Sequence, residues 1–239
     1  MPMNPPPDGP SRSERPLLVI SRDGSDAPGR RAFEDALLAA LRARGVRPLV
    51  TPHIYHLPPS HPLVQAMDTA SGGLTVAAWM APRAALWTLR ALGVARPPLE
   101  CLDLGAFAGP ERCVEALLAT GGGRLSAAPE FTEPVEMMNT RWYPVIDYSL
   151  CRNCRKCADF CLFGVYSLQD GQVAVTSPDN CKDGCPACAR TCPFGAIIFP
   201  QYAADPAIAG AASRPADAAP APGPDELDGL ISALEKLDE

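Results

Sequence analysis

Apolar residues in the first half of the chain alternate between two periodicities. Leu17-Leu18-Val19-Ile20, inside Pro16–Ser21, is the continuous run of a strand buried on both faces. After the loop Arg22–Gly29, Phe33, Ala36, Leu37, Ala40 and Leu41 recur at helical spacing. They predict a helix from about Arg30 to Arg44, ended by Gly45. A strand at Arg47–Thr51 follows, then an irregular stretch containing Pro58, Pro59 and Pro62, then a strand at Leu74–Trp79. Pro82 opens a helix through Leu92 that Gly93 closes, Leu99–Leu104 is a fourth strand, and Glu111–Ala119 a further helix. Strands alternating with helices read as βαβ units on a parallel sheet. The expected fold of residues 16–125 is therefore an α/β domain with a small parallel sheet.

The second half reads differently. Residues 1–15 are expected to be disordered, and 126–140 form a connector to a compact domain over 141–202. There Val165–Leu168 and Val173–Thr176 flank Gln169-Asp170-Gly171-Gln172, a hairpin turning at Asp-Gly. Residues 203–224 are rich in alanine and proline and read as a solvated linker. Residues 225–239 form an acidic amphipathic helix with Leu227, Leu230, Ile231, Leu234 and Leu237 on one face. A helix this short is marginal alone and should dock on its own body or in a partner's groove.

Eight of the ten cysteines fall between Cys151 and Cys192, in two quartets. These are Cys151, Cys154, Cys157, Cys161 and Cys181, Cys185, Cys188, Cys192. The last three members of each quartet share the spacing C-x2-C-x3-C. Such a run lets three thiolates converge on one face of an iron–sulfur cubane, with a fourth ligand from elsewhere. Two runs can complete each other, which leaves no cysteine of the eight over. A zinc site of Cys154, Cys157, Cys185 and Cys188 would strand four regularly placed cysteines. A disulfide framework suits small secreted chains, and nothing here looks secreted.

The segment from about Trp142 to Pro200 resembles the bacterial dicluster ferredoxin family. The resemblance implies an α+β ferredoxin-like domain with two [4Fe–4S] clusters and crossed ligation. Cys151, Cys154, Cys157 and Cys192 would hold one cluster, and Cys181, Cys185, Cys188 and Cys161 the other. It also implies that the strand near Trp142–Asp147 pairs with Ala196–Phe199. An internal repeat agrees: a shift of 31 residues takes Cys154, Cys157, Cys161, Phe163 and Gly164 onto Cys185, Cys188, Cys192, Phe194 and Gly195. The chain departs from the family at Leu162, where proline is usual, and in the three residues between Cys181 and Cys185, where two are usual. Gly184 can relieve that extra residue with a positive φ. Phe160, Phe163, Tyr166, Phe194, Ile197 and Ile198 should wrap the clusters in apolar side chains.

Charge adds little to this picture. The net charge is −6, and residues 201–239 alone carry two basic and eight acidic side chains. Residues 141–200 carry six and five, close to neutral. No basic stripe suggests nucleic acid, no apolar run reaches the length of a membrane span, and Met1–Pro10 has no secretory character. Oxygen-labile clusters and free thiols fit a reducing cytoplasm.

Other candidate chemistry is sparse. The loop Ser21–Gly29 has the glycine and serine of a phosphate cradle but matches no phosphate-binding fingerprint, so a plain βα connection is expected. His53, His56 and His61 cluster after the second strand and read either as a metal site or as a surface loop. Cys101 and Cys113 are expected to be buried, inert thiols. No nucleophile–base pair appears, so an electron carrier is expected rather than a stand-alone enzyme. The expected function is ferredoxin-type electron transfer to a redox partner protein, chosen by the α/β domain and the tail. The competing reading is an electron-transfer subunit of an oxidoreductase, with the α/β domain binding a small molecule or flavin. A third is that the clusters are structural or sense oxygen.

Overall fold

The computed structural model describes residues 16–24, 27–95, 99–120 and 140–211. They divide into two compact units, the first reaching Arg141 and the second running from Trp142 to Ile208. The N-terminal fifteen residues, most of the connector and the leucine-bearing tail lie outside the described residues. Among the described residues, no helix is long and apolar enough to cross a membrane.

The first unit runs β1 (Leu17–Ser21), α1 (Pro28–Ala43), β2 (Leu49–Thr51), α2 (Pro62–Asp68), β3 (Leu74–Ala78), α3 (Pro82–Ala91), β4 (Leu99–Asp103) and α4 (Pro110–Thr120). Its four strands pair in parallel in the order β2-β1-β3-β4. Successive strand residues point to opposite faces, and β1 is buried along its whole length, as its unbroken apolar run requires. On one face Leu18, Ile20 and Ala77 meet Leu37, Leu38 and Leu41 of α1 and Cys113, Val114 and Leu117 of α4. Proline stands in the first turn of α1, α2 and α3, where its missing N–H costs no helical bond. Gly45 and Gly93 follow α1 and α3 with φ of +75° and +97°, the left-handed stop their positions predict.

The stretch read as irregular is ordered. Ile54–His56 forms one turn of 3-10 helix, and α2 follows with Leu63, Val64 and Met67 buried. Seven residues opened by clustered prolines carry too short a periodic pattern to stand out against loop composition.

The second unit has short elements. β5 (Val145–Ile146) pairs antiparallel with β8 (Ile197–Ile198), and β6 (Tyr166–Gln169) forms a hairpin with β7 (Gln172–Val175). The hairpin turns at Asp170 and Gly171, whose φ of +49° and +79° match a type I′ turn. α5 (Lys156–Phe160) and α6 (Ala187–Thr191) are equivalent in the repeat, as are Gly164 and Gly195, with φ of +65° and +59°. Trp142 stacks on Phe199 with ring centroids 5.1 Å apart. The segment read as linker from residue 203 is folded as far as Ile208. Its carbonyl accepts from the Phe199 N–H at 2.8 Å, and its side chain joins the core.

Candidate metal centre

Short local devices place most of the cysteines of the second unit. Before the first run, buried Asp147 accepts from the Ser149 N–H and hydroxyl, and its own carbonyl accepts from the Cys151 N–H at 3.0 Å. Asn153 and Arg155 hold left-handed φ values of +53° and +65°, bending the backbone on both sides of Cys154. Asn153 also clamps the hairpin, donating to the Gly171 carbonyl at 2.7 Å and accepting from the Val173 N–H at 2.9 Å. Cys157 lies on α5 and Cys161 at its end, with Cys188 and Cys192 in the same places on α6. Gly184 takes φ +72°, which accommodates the extra residue before Cys185.

Cys161, Cys181, Cys185 and Cys188 line one cavity of about 420 Å³. Its remaining wall is mostly apolar, with Phe160, Leu162, Phe163, Val165 and Tyr166. Three of these thiols come from the second run and one from the first. Burial, then Cys185 and Cys161, push the Cys181 thiol up to about 12. Burial also pushes Cys188 up to about 12, with Cys181, Cys161 and Cys185 among the charges that raise it. Cys157 is likewise pushed up to about 12 by burial, then by Cys192 and Cys188, with a smaller influence from Cys151. Cys157 thus lies within electrostatic reach of Cys188 and Cys192, and Cys188 of Cys181, Cys161 and Cys185. Cys154 is exposed.

This donor set fits an iron–sulfur cluster. Crowded, buried thiols resist ionisation unless a polycationic core neutralises them. Among the described residues, no three His, Cys, Asp or Glu side chains stand close enough to hold a single ion. The four thiols instead line one common cavity, which suits a cluster rather than a single ion.

The remaining candidates sit in the first unit. In the loop after β1, the Asp23 N–H that would face a phosphate donates to the buried Glu34 carboxylate at 2.6 Å. Glu34 also accepts from Arg22 Nε at 3.2 Å and Trp79 Nε1 at 3.0 Å. The loop is a βα connection held by an internal carboxylate. Ser21 Oγ accepts from the Ile54 N–H at 3.0 Å, which ties β1 to the exit of β2.

His53 and His56 do not lie on a surface loop, because they and Tyr55 are buried, whereas His61 is half-buried. Burial, with His56 next, lowers the His53 pKa to about 4. His56 is lowered by burial and by Arg141, and its Nδ1 accepts from the Arg141 N–H at 3.0 Å. His61 caps α2 by accepting from the Leu63 N–H. Cys113 is buried and Cys101 half-buried, and burial pushes both thiols up to about 12.

Sequence reasoning missed Glu34, Asn153 and the hydroxyl of Tyr166. Glu34 carries a signal only in being a charged residue beside the apolar stripe of α1. Tyr166 carries one in the repeat, where the shift of 31 residues places it on Ile197.

A thiol-lined, largely apolar cavity between two repeated cysteine runs defines the class of the second unit as ferredoxin-like. No protein-family model matches the chain. An uncharacterized ferredoxin of Methanocaldococcus jannaschii is 50% identical over 61 residues, 25% of this chain and 42% of that protein. A second uncharacterized ferredoxin of the same organism is 39% identical over 54 residues, 22% of this chain and 86% of that protein. Through this segment the chain belongs to the ferredoxin family, and iron–sulfur binding goes with that membership. The chain spans less than half the length of the first of these relatives.

Proposed function

We propose that the chain is a ferredoxin-type electron-transfer protein with two [4Fe–4S] clusters. Cys151, Cys154, Cys157 and Cys192 hold one, and Cys181, Cys185, Cys188 and Cys161 the other. The observation that carries the reading is the cavity lined by three cysteines of the second run and the last cysteine of the first. Each cluster, when bound, supplies reversible one-electron capacity at a potential set by its surroundings. The protein's residues provide those surroundings. Val165 and Tyr166 line the cavity from within the core and exclude water, while Cys157 and Cys188 bring the two ligand sets side by side.

The electrons go to a redox partner protein in a reducing cytoplasm. The α/β unit and the leucine-bearing tail, with Leu227, Leu230, Ile231, Leu234 and Leu237, select that partner. Phe160, Phe163 and Leu162 are exposed at the cavity rim, Leu162 to 93%, and offer an apolar contact there. Anaerobic purification should yield about eight irons and eight labile sulfides per chain. Stable zinc, or about four irons, would count against the reading.

The second reading, a subunit whose α/β unit binds a small molecule or flavin, has an observation of its own. The strand order β2-β1-β3-β4 places a topological switch point between β1 and β3, where ligands bind in open parallel sheets. Near the strand ends, the buried Thr51 Oγ1 and His53 Nδ1 have no hydrogen-bond partner among the described residues. A flavin spectrum beneath the broad cluster absorption of the purified protein would favour this reading. Cluster absorption alone favours the carrier.

A further inference from the structure

The repeat makes each cysteine site a position-by-position control for the other. Tyr166 corresponds to Ile197; they open β6 and β8, and both are buried, with 9% and 3% exposure. The equivalence ends at the side-chain tip. The Tyr166 hydroxyl donates to Cys188 Sγ at 3.1 Å in buried surroundings, whereas Ile197 has nothing to donate. The other cysteine set receives a longer bond from the backbone, from the Ala196 N–H to Cys192 Sγ at 3.4 Å.

A ligating thiolate gains negative charge when an electron is added to its site, and a hydrogen bond to it then strengthens. We propose that Tyr166 is a tuning residue that donates its hydroxyl hydrogen to Cys188 and raises the reduction potential of the Cys161, Cys181, Cys185 and Cys188 site selectively. The proposal rests on the two-cluster reading above. One electron arrives from a low-potential donor, no bond to the protein forms or breaks, and the phenol keeps its proton. The two sites, alike in thiol count, are thereby given separate handles on their potentials, which sets the direction of electron flow between them.

The test is an EPR-monitored reductive titration of the full chain with dithionite, carried out on Tyr166→Phe, Tyr166→Met and Tyr148→Phe. Tyr148 is the control, because its hydroxyl donates to the Val173 carbonyl at 3.2 Å. In both Tyr166 variants, one of the two midpoints should fall by about tenfold in the reduction equilibrium, ~59 mV for one electron, while the other stays. Tyr148→Phe should move neither. Unchanged midpoints at full iron content, equal movement of both, or a shift in only one Tyr166 variant would overturn the assignment. Iron and sulfide analysis of the unsubstituted chain judges the two-cluster reading separately, and a chain without two clusters overturns both.

Discussion

In the α/β unit, β1 is five residues long, buried throughout, and paired with a strand on each side. Among the described residues of the cysteine-bearing unit each sheet has two strands, and β5 and β8 have two residues each. The cores differ in the same way. One is packed mainly from leucine, isoleucine and valine of helices and strands, with the single thiol of Cys113, whereas the other counts Cys157, Cys188 and Cys192 among its buried members. Helices of five residues are far below the length that stands alone in water. The difference shows two ways of making a folded region. The first unit's core consists of its own apolar side chains, while the second unit's core includes thiols of the two cysteine runs. If those thiols hold the cofactor as proposed, binding and folding are one equilibrium in the second unit.

The strongest way to break this comparison is to remove iron. Chelation under anaerobic reducing conditions should abolish hydrogen-exchange protection in β6, β7, α5 and α6 while β1 and β3 keep theirs. Retained protection in the hairpin of the apo protein would show that the second unit folds without its clusters.

The next largest effect lies in the first unit. Ile20→Ala removes a fully buried side chain between β1 and its covering helices and should cost about 2–5 kcal/mol in denaturant unfolding of that unit. Cluster absorbance should not change.

A pH dependence follows from His53, whose folded pKa of about 4 lies below its ordinary 6.5. Between those values the unfolded chain takes up a proton that the folded unit refuses. Stability is therefore full above about pH 6.5 and falls as the pH drops towards 4, by on the order of 3 kcal/mol in all. Hydrogen exchange in β1 and β2, corrected for intrinsic rates, should report the loss, and His53→Phe should remove most of it. An unaltered slope in that variant would assign the acid sensitivity elsewhere.

A smaller effect sharpens the link between ligand loop and hairpin. Asn153→Ala loses two hydrogen bonds to the hairpin and places alanine at φ +53°, for a cost of about 2 kcal/mol in the second unit. Faster cluster loss in air is the expected readout. The smallest effect is a negative one: in the native protein at pH 8, iodoacetamide should leave Cys113 unmodified, since burial disfavours its thiolate.

Much of this was legible before any coordinates. The unbroken run Leu17–Ile20, the helical spacing from Phe33 to Leu41 and the glycines after α1 and α3 state their own conformations, because burial and left-handed backbone are local demands on residue type. The Asp170-Gly171 turn is legible for the same reason. The cysteine spacing likewise announces clustered ligands, since short intervals limit where thiols can reach. Tertiary structure alone decided what those local signals meet. It buried His53 and Tyr55 where prolines suggested a surface, ordered α2 inside a stretch read as irregular, and extended the second unit to Ile208. It brought Glu34 onto the Asp23 N–H and the Tyr166 hydroxyl onto Cys188, across eleven and twenty-two residues. Periodicity reports which face of an element is apolar. It carries no information about which polar atom of a distant residue ends within 3 Å of another, because that depends on how whole elements pack.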